Sequence, residues 1–165
     1  MSTTFTEFLR EKAAKQAAQL KASGVDIEEW RGAVERLFAQ LRAWLAQSDP
    51  DGIIRIEEGK EKINEPGLGR YVVPRLDLYV LDKWIGIIPK ARKTVLTAHP
   101  PLRPAPERAI GRVDITDELR RYILSRFPRL DGQGDMWFIE DVTVGTPPRP
   151  LDQAKFEEAL MSYLV

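Results

Sequence analysis

The sequence lacks several of the residues on which common enzyme chemistries depend. Its 165 residues include no cysteine and one histidine, His99. The absence of cysteine excludes disulfide bonds, thiolate nucleophiles and zinc sites built on cysteine. A lone histidine cannot build a multi-histidine metal site, and no serine lies in a GxSxG nucleophile elbow. The sequence therefore predicts no cofactor and no metal, and it favours a protein without catalysis.

An excess of one charge and a long hydrophobic run are also lacking. The chain has 25 basic and 25 acidic residues, so its net charge is zero. This balance gives no overall attraction to nucleic acid or to a membrane surface, and it does not oppose self-association. No apolar run approaches the roughly 20 residues needed to span a bilayer, and the first residues lack the apolar core of a signal peptide. We expect a cytoplasmic protein with no membrane partner.

The most apolar stretch, from Tyr71 to Thr97, is rich in Val, Ile, Tyr and Trp. These residue types favour half-buried strands, so the stretch predicts the centre of a sheet. Residues 52–145 are expected to form a mainly antiparallel sheet of five to seven strands. Within that range, 59–69 is expected to be a polar connection and 99–107 a proline-rich loop. Residues 151–165 are expected to form a closing helix.

The first 48 residues are predicted to form an antiparallel helical hairpin. Gly24 supplies a C-terminal stop for a first helix, and Asp26 with Glu29 forms a capping box for a second. The whole chain, 1–165, is thus predicted to be a single α+β domain in which this hairpin packs on the sheet.

The range 119–127 has a pattern that fits either a helix or a strand. Its apolar residues recur at helical spacing, but the turn chemistry of 131–135 and the strand-like 136–144 favour a β-hairpin. We therefore predict a strand here.

The second predicted helix carries more large apolar residues than the first can cover. We expect the uncovered remainder to form an interface, most simply a two-fold dimer. Its residues are Trp30, Leu37, Phe38, Leu41 and Trp44. The leading hypothesis is a non-catalytic protein-interaction or accessory factor, adaptor-like or chaperone-like, that binds protein and associates with itself.

A second hypothesis is nucleic-acid binding through the basic segment 90–129. Basic side chains beside aromatic rings can follow a phosphate backbone and stack bases, provided that they share one face. The candidate residues are Lys90, Arg92, Lys93, Arg120, Arg121 and Arg126.

A third hypothesis is a magnesium-dependent nuclease. Asp51 follows a proline, and Glu58 and Lys60 come seven and nine residues later. This spacing resembles the motif of the restriction-endonuclease-like nucleases, in which an Asp and a Glu hold the metal and a Lys orients water. The resemblance covers about a dozen residues, and it implies a further acid on the preceding helix, for which Glu35 is the candidate.

Overall fold

The computed structural model describes residues 2–92, 109–128 and 134–165. In these ranges, one long helix precedes a seven-stranded sheet and a shorter helix follows it. The elements are α1 (Ser2–Ser48), β1 (Ile54–Glu65), β2 (Gly69–Val80), β3 (Lys83–Ala91), β4 (Arg112–Thr116), β5 (Arg121–Pro128), β6 (Asp135–Asp141), β7 (Arg149–Pro150) and α2 (Gln153–Leu164). The predicted α+β class is confirmed, whereas the predicted proline-rich loop 99–107 lies outside the described residues.

The strands follow one another in the sheet in the order β1 to β7, and each pair of neighbours is antiparallel. The interpretation of 119–127 as strand is confirmed, because β5 pairs with β6 and Leu124 lies opposite Ile139. The expected polar connection 59–69 is wrong. Strand β1 continues to Glu65, so that only Pro66 to Leu68 connect it to β2.

Both helices cover the same face of the sheet. Strand register places Leu78 opposite Ile85 and Val113 opposite Leu124, and all four side chains are buried. The ring centroids of Trp44 in α1 and Phe156 in α2 lie 6.0 Å apart, and both residues belong to one hydrophobic core. The predicted closing helix is confirmed, since Asp152 caps α2 by accepting a hydrogen bond from Lys155 N at 2.8 Å.

The helical hairpin expected in the first 48 residues is not formed, and α1 is one continuous helix through Gly24. A glycine inside a helix costs only about 1 kcal/mol, and tertiary contacts outweigh it. The two residues of the expected capping box make ion pairs with the rest of the protein instead. Asp26 lies 3.5 Å from Arg92, and Glu29 accepts a hydrogen bond from Arg126 at 3.0 Å.

The long β1–β2 hairpin bends towards α1 beyond the point where β3 stops pairing with β2. The buried side chains of β2 lie at the odd-numbered positions Tyr71 and Val73 and then at the even-numbered positions Leu76 and Leu78. Two-stranded ribbons twist more strongly than wide sheets, which explains the change of face. Arg31 of α1 donates from Nε and Nη2 to the exposed carbonyl of Val72, at 3.1 and 2.9 Å.

Candidate interaction surfaces

The N-terminal part of α1, residues 4–22, makes no burying contact with the rest of the described structure. Every residue from 4 to 22 is exposed, whereas burial begins at Ser23, whose hydroxyl donates to Gly67 O at 3.2 Å. At ~1.5 Å per residue, this segment extends about 28 Å beyond the tip of the β1–β2 hairpin. We call residues 4–22 the α1 arm.

The arm has an apolar stripe that continues the core-facing stripe of α1. Leu9, Ala13 and Leu20 fall in the same heptad positions as the buried Trp30, Val34 and Leu41 further along the helix. The large exposed side chains on the arm are Phe5, Phe8, Leu9 and Leu20.

Charges on the arm are sorted by face. With about 100° per residue, Arg10 and Lys12 flank the stripe, and Glu7 and Glu11 lie on the opposite side. Local contacts support the helix, because Lys15 lies 3.5 Å from Glu11 and Lys12 lies 5.6 Å from the Phe8 ring centroid. The arm therefore presents an apolar strip with basic edges.

The five side chains expected to form an interface lie instead in the core of the monomer. Trp30, Leu37, Phe38 and Leu41 are buried, and the half-buried Trp44 packs against the same core. The sheet and α2 cover this stripe. The first helix of the predicted hairpin has too few large apolar residues to cover it. On α1 the uncovered apolar surface is mainly the arm, whose stripe contains much alanine.

An ion-pair network joins α1 to the sheet near these aromatic side chains. Arg126, with 3% of its surface exposed, donates to Glu29 and to Asp135, the latter at 2.6 Å. Arg36 of α1 also lies 3.0 Å from Asp135. The hydrogen bond from Arg126 holds the pKa of Glu29 below its ordinary value of 4.5. These contacts fix the angle at which α1 lies on the sheet.

The candidate nucleic-acid residues do not form one free basic surface. Arg126 and Arg92 face the carboxylates of the network just described. Arg120 donates to Ser162 O at 3.0 Å, and Arg121 lies 3.5 Å from the buried Asp114. Lys90 is exposed, and Lys93 lies outside the described residues.

The sheet face opposite the helices also pairs its charges. Arg75 contacts Asp77 at 2.8 Å and Glu61 at 2.9 Å, and Trp84 Nε1 donates to Asp77 at 2.9 Å. Burial acts to raise the pKa of Asp77, but the hydrogen bonds from Arg75 and Trp84 outweigh it and lower that pKa. This mixture of both signs does not resemble a phosphate-binding surface.

Three of the four nuclease candidates line one open cavity of about 540 Å³ between α1 and the edge strand β1. They are Glu35, Glu58 and Lys60, whereas Asp51 lies in the turn after α1 and does not line the cavity. Glu58 also lies 3.5 Å from Arg42. No group of three or more His, Asp or Glu side chains in the described ranges could hold a metal ion. The carboxylate pair that the resemblance requires is therefore not assembled.

A second open cavity of about 450 Å³ lies between α1 and β6. Trp44, Trp137 and Leu151 supply apolar surface, and the pair Arg36–Asp135 closes one end. None of the described residues that line this cavity places a nucleophile or a general base near a second reactive group.

Comparison of the chain with protein-family models, with curated proteins and with solved structures gives no match. Among the described residues, neither helix has an apolar stretch long enough to cross a membrane.

Proposed function

We propose that this chain is a non-catalytic protein-interaction factor that associates with itself through the α1 arm. The observation that supports the proposal is the uncovered apolar stripe of residues 4–22, on a helix that extends away from the rest of the protein. Leu20, for example, exposes 68% of its surface. An isolated helix of this length is marginal in water, and helices in proteins gain most of their stability from packing an apolar face. A partner that covers the stripe supplies that packing.

A second copy of the chain is the simplest such partner. The chain has no net charge, so two copies do not repel one another as whole molecules. The arm is also not needed to complete the monomer core, because the buried residues of α1 begin at Trp30. Association through the arm thus leaves the fold of each copy unchanged.

The test uses two substitutions that place the same charge on different sides of the arm. Leu20→Asp puts a carboxylate in the apolar stripe, and Ala18→Asp puts one about 200° around the helix. Both positions are exposed, so both variants are expected to keep the fold, which circular dichroism checks. Light-scattering mass is then measured over a concentration series for wild type and for both variants.

We expect wild type to exceed the monomer mass of 18.8 kDa as concentration rises. Because an unpaired charge is costly to bury, Leu20→Asp is expected to weaken association at least about tenfold, whereas Ala18→Asp leaves it unchanged. Equal association of wild type and Leu20→Asp, or a monomer at every concentration, contradicts the proposal.

A further inference from the structure

The exposed large hydrophobic side chains of the described residues fall into two groups, apart from Val72. One group lies on α1 and consists of Phe5, Phe8, Leu9, Leu20 and Val25. The other lies on the connections after α1, β2, β4 and β6 and at the C-terminal end of α2. It consists of Ile53, Leu81, Leu119, Val142, Val144, Met161, Leu164 and Val165.

The second group lies at one end of the sheet. In an antiparallel meander, alternate connections share an end, so 49–53, 81–82, 117–120 and 142–148 lie together. The end of α2 joins them, because Tyr163 Oη donates to Ile115 O at 2.7 Å and Tyr122 Oη donates to Ser162 Oγ at 3.0 Å. We call these four connections with 161–165 the turn end.

The α1 arm and the turn end lie at opposite ends of the molecule. Helix α1 finishes at the turn end, where Asp49 accepts hydrogen bonds from Ile53 N and Ile54 N at 2.8 and 2.7 Å. Strand β1 then runs back alongside α1 to the hairpin tip, where Ser23 contacts Gly67. The arm continues outward from that tip.

The turn end is acidic, whereas the edges of the apolar stripe on the arm are basic. The four connections contain Asp49, Asp51, Asp82, Asp117 and Glu118, with Arg120 as their one basic residue. Arg120 is engaged within the protein by Ser162 O and Asp141. Asp82 and Glu118 are exposed beside Leu81 and Leu119. The surface therefore combines apolar tips with exposed carboxylates.

The exposed apolar residues and carboxylates of the turn end are complementary to the apolar stripe and basic edges of the arm. We infer that the arm of one copy binds the turn end of a second copy, with its apolar stripe on the exposed turn residues and its basic edges against their carboxylates. The inference rests on the proposed function and names the partner surface. Arm-to-arm pairing has weaker support, since the stripe holds Thr6, Ala13 and Gln16 at heptad positions and Arg10 and Lys12 on its edges.

A contact between opposite ends of identical molecules repeats when each copy binds a different neighbour, and it closes at a dimer when two antiparallel copies exchange arms. The light-scattering mass of wild type is therefore expected to rise to twice 18.8 kDa or beyond. It is also expected to fall steeply with added salt, because the charges involved are exposed.

Charge reversal tests the pairing in the full-length chain. One variant carries Arg10→Glu and Lys12→Glu on the arm, and the other carries Asp82→Lys and Glu118→Lys at the turn end. Each is expected to associate at least about tenfold more weakly than wild type, and an equimolar mixture of the two is expected to regain association. The control, Glu35→Lys with Glu57→Lys, makes the same change of net charge as the turn-end variant at exposed positions outside both surfaces and is expected to associate like wild type.

The outcomes separate the inference from the function on which it rests. If the Asp82→Lys, Glu118→Lys variant associates like wild type while Leu20→Asp is monomeric, the arm binds a surface other than the turn end. This result overturns the turn-end inference and leaves the proposed function standing. A wild-type chain that is monomeric at every concentration overturns both.

Discussion

The hydroxyl of Ser23 donates to the carbonyl oxygen of Gly67 at 3.2 Å, and this contact marks the place where α1 leaves the rest of the protein. Residues 4–22, which precede it, are exposed on every side of the helix, and residues after it become progressively buried. One helix thus has two roles. Its second half forms the core with the sheet, and its first half presents an uncovered surface.

The continuity of α1 at Gly24 can be tested by adding one methyl group. An added Cβ at Gly24 meets nothing within 4 Å, and the residue has helical neighbours on both sides. Gly24→Ala is therefore expected to stabilise the local helix by about 1 kcal/mol. Amide hydrogen exchange of residues 20–27 should slow by roughly fivefold. Faster exchange would show that Gly24 ends a helix in a left-handed conformation, as in a helical hairpin.

The same change at Gly111 is expected to have the opposite effect. An added Cβ there would lie 2.3 Å from Cζ3 of Trp30, whose ring is fully buried and cannot move aside. Gly111→Ala is expected to destabilise the fold by about 1–3 kcal/mol, as overpacking of a core does. Urea unfolding measures this as a lower midpoint with an unchanged slope. An unchanged midpoint would mean that Trp30 does not lie over Gly111.

The Glu29–Arg126 contact predicts how stability changes at acidic pH. The pKa of Glu29 is below its ordinary value of 4.5 in the folded protein, because Arg126 hydrogen-bonds to the carboxylate. Its contribution is therefore complete above the unfolded-state pKa and is lost as pH falls through the lower, folded-state value. Glu29→Gln is expected to cost about 1 kcal/mol at neutral pH, after allowance for the partial exposure of Glu29.

The measurement is the free energy of unfolding of wild type and Glu29→Gln from neutral pH down to the acid range. The difference between them should shrink as pH decreases below 4.5. A difference that is constant with pH would show that the carboxylate charge of Glu29 makes no contribution through Arg126.

The substitution Leu81→Gly is expected to have opposite effects on stability and on association. The φ of Leu81 is +59°, a backbone conformation that favours glycine, and 84% of its surface is exposed. Leu81→Gly removes the strain and little packing, so it is expected to stabilise the monomer by about 1 kcal/mol. It also removes an apolar tip of the turn end, which is expected to weaken association about tenfold. Thermal unfolding and light-scattering mass give the two values, and a loss of stability or an unchanged association contradicts the respective half of the prediction.

Much of the fold could be predicted from local sequence signals. The strand pattern around Tyr71–Thr97 predicted the sheet, and the closing helix expected at 151–165 is α2. The helical hairpin was wrong because Gly24 and the Asp26–Glu29 box are local signals for a helix boundary. The carboxylates of Asp26 and Glu29 pair instead with Arg92 and Arg126, which are distant in sequence.

The exposed apolar surfaces were harder to predict than the fold. Trp30 and Leu41 looked uncovered because α2 and the sheet, which cover them, are contributed by later parts of the chain. The exposed residues Leu81 and Leu119 lie in separate turns, and only the strand order brings these turns to one end. Sequence periodicity contains no information about such an arrangement.

Site-resolved hydrogen exchange at low and high protein concentration tests the central claim, that the α1 arm is covered by a second copy. The amides of residues 4–22 are expected to exchange rapidly in dilute protein and to become protected as concentration rises, whereas those around Trp30 and Leu41 stay protected throughout. Residues 81–82 and 117–120 should gain protection together with the arm. Arm amides whose exchange does not change with concentration would contradict the account.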